Sequence, residues 1–144
     1  QEFCKSIGCT ETRIGSYVCE GLTRGTEKDD LHPGRCPLAM VVTVVSTAVP
    51  RQVVVDAGKK AFTSNPPLPY GYCREHPAIF IKGMSVEHGI VDITHSSHQF
   101  EVGEVISFIP QHAGMTINLH DHLYPMRYGE VVDTWKVAGR GRSH

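Results

Sequence analysis

His120-Asp121-His122 is the densest run of potential metal ligands in the chain. Two histidines one residue apart project to the same face of a strand, and in that geometry they can share a metal ion. Glu87-His88 sets a carboxylate beside an imidazole, the pairing that general acid–base work uses. The surrounding Ser85-Val86-Glu87-His88-Gly89 nevertheless reads as a turn. His95 and His98 flank Ser96-Ser97 in a polar stretch with the composition of a solvated turn. Asp56-Ala57-Gly58 closes a strand; Asp56 can accept from turn amides, and Gly58 supplies a turn conformation closed to larger residues. Other chemistries lack their residues. There is no Gly-x-Ser-x-Gly elbow for a serine hydrolase, and Gly139-Arg140-Gly141-Arg142 lacks the following helix of a phosphate loop.

Cysteine usage leaves two readings open. Cys4, Cys9, Cys19, Cys36 and Cys73 include no Cys-x-x-Cys pair, which argues against a zinc ribbon. They are either buried thiols of a cytoplasmic protein or the source of one or two disulfides in a secreted one. The cysteines alone do not choose between the cytoplasmic and extracellular alternatives, of which the extracellular is the expectation here, and disulfides among five cysteines would leave one over.

The elements that must position these residues are almost all β. Leu38 to Val49 is rich in β-branched residues and ends at Pro50; Arg51 to Ala57 follows at once, so two strands meet at a proline corner. Ser16 to Glu20, Ala78 to Lys82, Gly89 to Thr94, Glu104 to Ile109, Leu123 to Tyr128 and Val131 to Val137 are further strands, with Tyr128-Gly129-Glu130 as a hairpin turn. About eight short, mostly antiparallel strands predict a single small all-β barrel or sandwich. Thr23 to Pro37 and Ala61 to His76 read as long loops. At 144 residues the chain makes one domain. Its net charge of -1 gives no electrostatic footprint for nucleic acid. No apolar run approaches the ~20 residues of a membrane-spanning helix.

Five ordered motifs carry a resemblance. Thr12-Arg13-Ile14-Gly15-Ser16-Tyr17-Val18 opens the series, and Val53-Val54-Val55-Asp56-Ala57-Gly58-Lys59-Lys60-Ala61 and Ser85-Val86-Glu87-His88-Gly89 follow. Ile109-Pro110-Gln111-His112-Ala113-Gly114-Met115-Thr116-Ile117-Asn118-Leu119-His120-Asp121 comes next, and Asp133-Thr134-Trp135-Lys136-Val137 with Arg140-Gly141-Arg142 closes the series. Together they resemble the C-terminal β-domain of the D-serine dehydratase / D-threonine aldolase-like, pyridoxal-phosphate-dependent family, over about residues 10 to 143. Ile14 stands where that family has proline.

The resemblance implies a β-domain over residues 1–144 without the N-terminal cofactor barrel, which takes about 200 residues or more. Neither Lys59 nor Lys60 matches the position of the family's Schiff-base lysine. The resemblance also implies a metal site in which His112 is one ligand. The second ligand, cysteine or aspartate in the family, is Gly114 here, so the site is a remnant. In a β-like run the two positions would share a face. His120 and Asp121 match a motif expected to make structural hydrogen bonds, and Trp135 a core residue of the closing strand. The expectation is therefore a stand-alone, non-catalytic module with no cofactor of its own. Zinc is the candidate metal, at His112 or with His120 and His122, and pyridoxal phosphate enters only with a separate barrel. A domain shaped to rest on a barrel exposes an apolar face, so the expected partner is a second copy or a barrel domain. The alternative is the accessory metal-site domain of a D-amino-acid lyase.

Overall fold

The computed structural model describes residues 2–11, 15–19, 36–64 and 69–142. Its centre is built from β1 (Met40–Ser46), β2 (Gln52–Val55), β3 (Gly71–Cys73), β4 (Phe80–Met84), β5 (Gly89–Asp92) and β6 (Val105–Pro110). They close into an antiparallel barrel in the order β1-β2-β5-β4-β3-β6, with β6 returning to β1 through Met40↔Phe108 and Thr43↔Val105. Closure leaves none of the six strands with a free edge.

Alternation along each strand decides what fills the barrel. In β1, Val42 and Val44 are buried while Val41 and Val45 face out; in β2, Val53 and Val55 point inward. Registers Val53↔Val91 and Ile81↔Val91 stack these inward positions across neighbouring strands. Phe62 and Phe108 meet edge to face at 6.4 Å in the core. Each fully buried side chain of this size contributes roughly 1.5–3 kcal/mol. The proline corner holds, and Arg51 turns it with φ 61°.

Outside the barrel lie α1 (Glu2–Ser6), a 3-10 helix (Ser16–Cys19) and α2 (Ala113–Ile117). The 3-10 helix packs against α2. The strands β7 (His122–Leu123), β8 (Met126–Arg127), β9 (Glu130–Val131) and β10 (Trp135–Lys136) pair as one antiparallel hairpin arm. Tyr128 and Gly129 at its tip have φ 54° and 84°, the left-handed pair whose twist suits a two-residue hairpin turn.

Several expectations change. Ser16–Cys19 is a 3-10 helix rather than a strand. The Ala61–His76 loop contains a barrel strand, β3. Residues 113–117, within the β-like run, are helical. Trp135 is 57% exposed rather than in the core, its indole N–H donating to Asp133 Oδ2 at 2.8 Å. None of the five cysteines is joined in a disulfide. Thr12–Ile14, Glu20, the loop from Thr23 to residue 35 and Asn65–Leu68 lie outside the described residues. No helix among the described residues is long and apolar enough to cross a membrane.

Candidate functional site

Three of the five motifs converge at one end of the barrel, where β2 and β6 finish and β5 begins. Lys59 N donates to Ser85 O at 3.0 Å and Lys60 N to Val86 O at 3.3 Å, laying the 56–61 segment against the 85–89 turn. Gly58 permits this by its smallness rather than by a left-handed backbone. A Cβ there would stand 2.6 Å from both His88 N and Ser85 O. Lys60 Nζ reaches Glu87 Oε1 at 2.5 Å, with both side chains more than half exposed. Such a pair is worth little in water, and Glu87 engaged this way is not poised against His88. The turn itself is closed by Ser85 N donating to His88 O and His88 N donating to Ser85 Oγ. Asp56 Oδ1 accepts from Thr43 N at 2.8 Å, so its carboxylate ties β1 to the end of β2.

The third motif is fastened to the first. His120 Nε2–H donates to Ala61 O at 2.9 Å, and Thr63 N donates to the buried Thr116 Oγ1 at 3.3 Å. Asp121 pairs with Arg140. His122 stands exposed on β7 opposite Lys136, and that lysine's charge opposes a cation there.

His112 is the N-cap of α2. Its backbone is extended (φ -130°, ψ 105°), and Nδ1 accepts from Met115 N at 3.2 Å. Gly114 belongs to the first turn, where a Cβ would lie 3.5 Å from His112 Cε1 and 3.8 Å from Nδ1. Positions 112 and 114 do face each other, but a capped helical turn rather than a strand brings them together.

The residues present do not fit the family's metal. With Nδ1 accepting a hydrogen bond, the neutral ring carries its proton on Nε2, and ligation through either nitrogen would cost the cap. Gly114 supplies no donor. Gln111 leaves Oε1 buried without a partner, but a neutral amide oxygen suits zinc poorly. Among the described residues no three of His, Cys, Asp and Glu stand close enough to hold a metal ion. Among the described residues Lys5, Lys59, Lys60, Lys82 and Lys136 are all exposed, so none stands in the enclosed setting a Schiff-base lysine needs.

A second cluster, at the opposite end, centres on His98, whose polar neighbours in the sequence suggest only a solvated turn. His98 stacks on His76 at 4.8 Å, meets Phe100 edge-on at 4.5 Å, and bonds Glu104 Oε1 through Nε2 at 2.7 Å. Four residues spread from 76 to 104 show no local spacing, so only the loops joining β3 to β4 and β5 to β6 unite them. Below it, Glu75 accepts from Ser107 N at 3.1 Å and from Ser107 Oγ. Burial raises the Glu75 carboxyl, but these bonds outweigh it and hold the group below its ordinary range. Burial, opposed by a backbone bond from His76 and reinforced by Glu75, pushes the Cys73 thiol up to about 12, so it is no nucleophile.

Comparison with known proteins agrees with the motifs. Residues 38–126 match the family described as "Putative serine dehydratase domain". The chain is 33% identical over 137 residues to a D-threonine aldolase of Arthrobacter sp, covering 93% of this chain and 35% of that protein. It is 32% identical over 130 residues to an uncharacterized protein of Mycobacterium tuberculosis (strain ATCC 25618 / H37Rv), covering 82% of this chain and 98% of that protein. Among solved structures, the D-threonine aldolase from Filomicrobium marinum superposes with a TM-score of 0.74 at 27% identity, over 90% of this chain and 36% of that one. The chain thus spans about a third of the length of the aldolases it matches.

Proposed function

The chain belongs to the serine dehydratase domain family, and from that membership we propose that it is a non-catalytic binding module of the family. Its work is association, with a second copy or a barrel domain, rather than turnover. The observation that carries this reading is the pair at 112 and 114: the imidazole is committed to a helix cap, and the facing position is glycine. The similarity to a mycobacterial protein covered over 98% of its length supports a β-domain that occurs at about this size. Calorimetric titration of the chain with Zn²⁺, and a lyase assay with pyridoxal phosphate and D-threonine or D-serine, test it. The expected results are no saturable zinc binding and no turnover; zinc-dependent lyase activity of the chain overturns the reading.

A second reading rests on the alignment of 93% of this chain with about a third of a D-threonine aldolase. There the chain is the accessory domain of a pyridoxal-phosphate lyase whose cofactor barrel lies elsewhere. It expects the chain to restore activity when mixed with a family barrel domain and the cofactor. It further expects Gly114→Cys to raise zinc affinity in that assembly, because the new thiol would stand against the His112 ring. If the mixture stays inactive and Gly114→Cys leaves zinc affinity unchanged, this reading is withdrawn.

A further inference from the structure

The short helix α1 ends in a turn built by two nested backbone bonds. Cys9 N donates to Cys4 O at 2.9 Å, and Gly8 N donates to Lys5 O at 3.1 Å. Gly8 has φ 81°, and a Cβ there would meet nothing within 4 Å, so conformation rather than space is what calls for glycine. Many helices end this way, and the two residues sharing the outer bond then set their side chains against each other, usually as an apolar contact. Here both of those residues are cysteines. The 2.9 Å bond between their backbones holds the two Cα atoms within about 7 Å at full stretch, and the angles at the carbonyl and the amide bring them closer. Bridged cysteines have Cα atoms roughly 4.4–6.8 Å apart. Cys9 is exposed, Cys4 is half-buried, and both thiols are free.

We infer that Cys4 and Cys9 form a thiol–disulfide exchange site, which a low-molecular-weight disulfide such as oxidised glutathione closes into an intramolecular bridge. The inference goes beyond the binding-module reading and does not depend on it. Cys9, as thiolate, attacks one sulfur of the small disulfide; that S–S bond breaks, one thiol leaves, and a mixed disulfide stays on Cys9. Cys4, as thiolate, then attacks the Cys9 sulfur and expels the second thiol. The two protein thiols lose two electrons and two protons, and the small disulfide gains them. Exposure sets the order: the outer sulfur meets the reagent and the inner one resolves it. Cys36 and Cys73 are buried, which keeps both from competing for the reagent. The bridge joins the same two residues that the outer hydrogen bond already joins, so reduced and oxidised chains share one turn.

Equilibration of the whole chain with reduced and oxidised glutathione at about pH 8, followed by acid quenching, alkylation and peptide masses, tests it. Lys5 lies between the two cysteines, so trypsin splits the segment and a bridge shows as two peptides joined through sulfur. The expected product is a Cys4–Cys9 bridge whose formation constant is at least about tenfold higher in the native chain than in the urea-unfolded one. Cys4→Ser should instead hold one glutathione on Cys9. Gly8→Val keeps both cysteines but strains the left-handed residue, and should lower the constant about five- to thirtyfold. A mixed disulfide on wild-type Cys9 that never resolves, or a bridge from Cys9 to another cysteine, overturns the inference. So does a constant that urea or Gly8→Val leaves unchanged, because closure would then owe nothing to the turn.

Discussion

Replacing Gly58 by alanine tests whether the candidate site is assembled by close approach. The new Cβ would lie 2.6 Å from His88 N, 2.6 Å from Ser85 O and 2.7 Å from Glu87 C, all backbone atoms that no rotamer change can move aside. The two segments must therefore separate. Overpacking against a fixed neighbour costs about 1–3 kcal/mol. Separation also strains the bonds from Lys59 N to Ser85 O and from Lys60 N to Val86 O, each worth about 1 kcal/mol. The expected loss is about 3–5 kcal/mol, a large share of the 5–15 kcal/mol typical of a domain. Gly83→Ala is the matched control. Its Cβ would meet only Ile90 Cδ1 at 3.8 Å and Ile90 Cβ at 3.9 Å, and alanine in a strand is about 0.5–1 kcal/mol better than glycine. In urea, at a slope of about 2 kcal/mol per molar, Gly58→Ala should lower the midpoint by about 1.5–2.5 M, whereas Gly83→Ala should leave it unchanged or raise it slightly. A Gly58→Ala midpoint within about 0.3 M of wild type, at an unchanged slope, would refute the close-approach argument.

Other outcomes follow from the same geometry. His112→Ala removes the α2 cap and should cost about 1 kcal/mol in chemical denaturation, with His112→Asn recovering most of it because its side-chain oxygen can accept from Met115 N; equal losses in both variants would show that the ring matters by packing. Glu75 is held below its ordinary range, so the stability it contributes is present above about pH 4.3 and lost as pH falls through its lower folded value. Glu75→Gln should therefore flatten the acid limb of stability against pH, and an unchanged limb would remove Glu75 from the account. With its thiol raised to about 12, Cys73 should resist alkylation near pH 8 in the native protein while exposed Cys9 reacts; peptide masses after labelling decide it, and equal labelling would contradict the burial.

How much of this was legible depends on range. Val42, Val44, Val53 and Val55 announce their strands because a period-2 alternation is written in consecutive residues, and a proline corner can be read the same way. The type of fold and the family both followed from such local signals. β3 was not legible: Gly71-Tyr72-Cys73 is three residues in a proline-rich stretch, and its register is set by Ile109 and Phe108, more than thirty residues away. Nor was α2 legible, since five residues cannot display a helical period and an isolated turn does not form alone. It exists because His112 caps it and Thr116 is buried against Thr63.

The sequence by itself determined an all-β domain of this family and a glycine two residues after His112, because both depend on which residues stand where along the chain. Tertiary structure alone decided the rest. It engaged the His112 nitrogen in a cap, set Gly58 against the backbone of residues 85–88, stacked His98 on His76 and put Trp135 in solvent rather than in the core. The Gly58 and His98 contacts join segments that only barrel closure brings together, and the His112 cap, though local, exists only because the burial of Thr116 against Thr63 holds its helix in place.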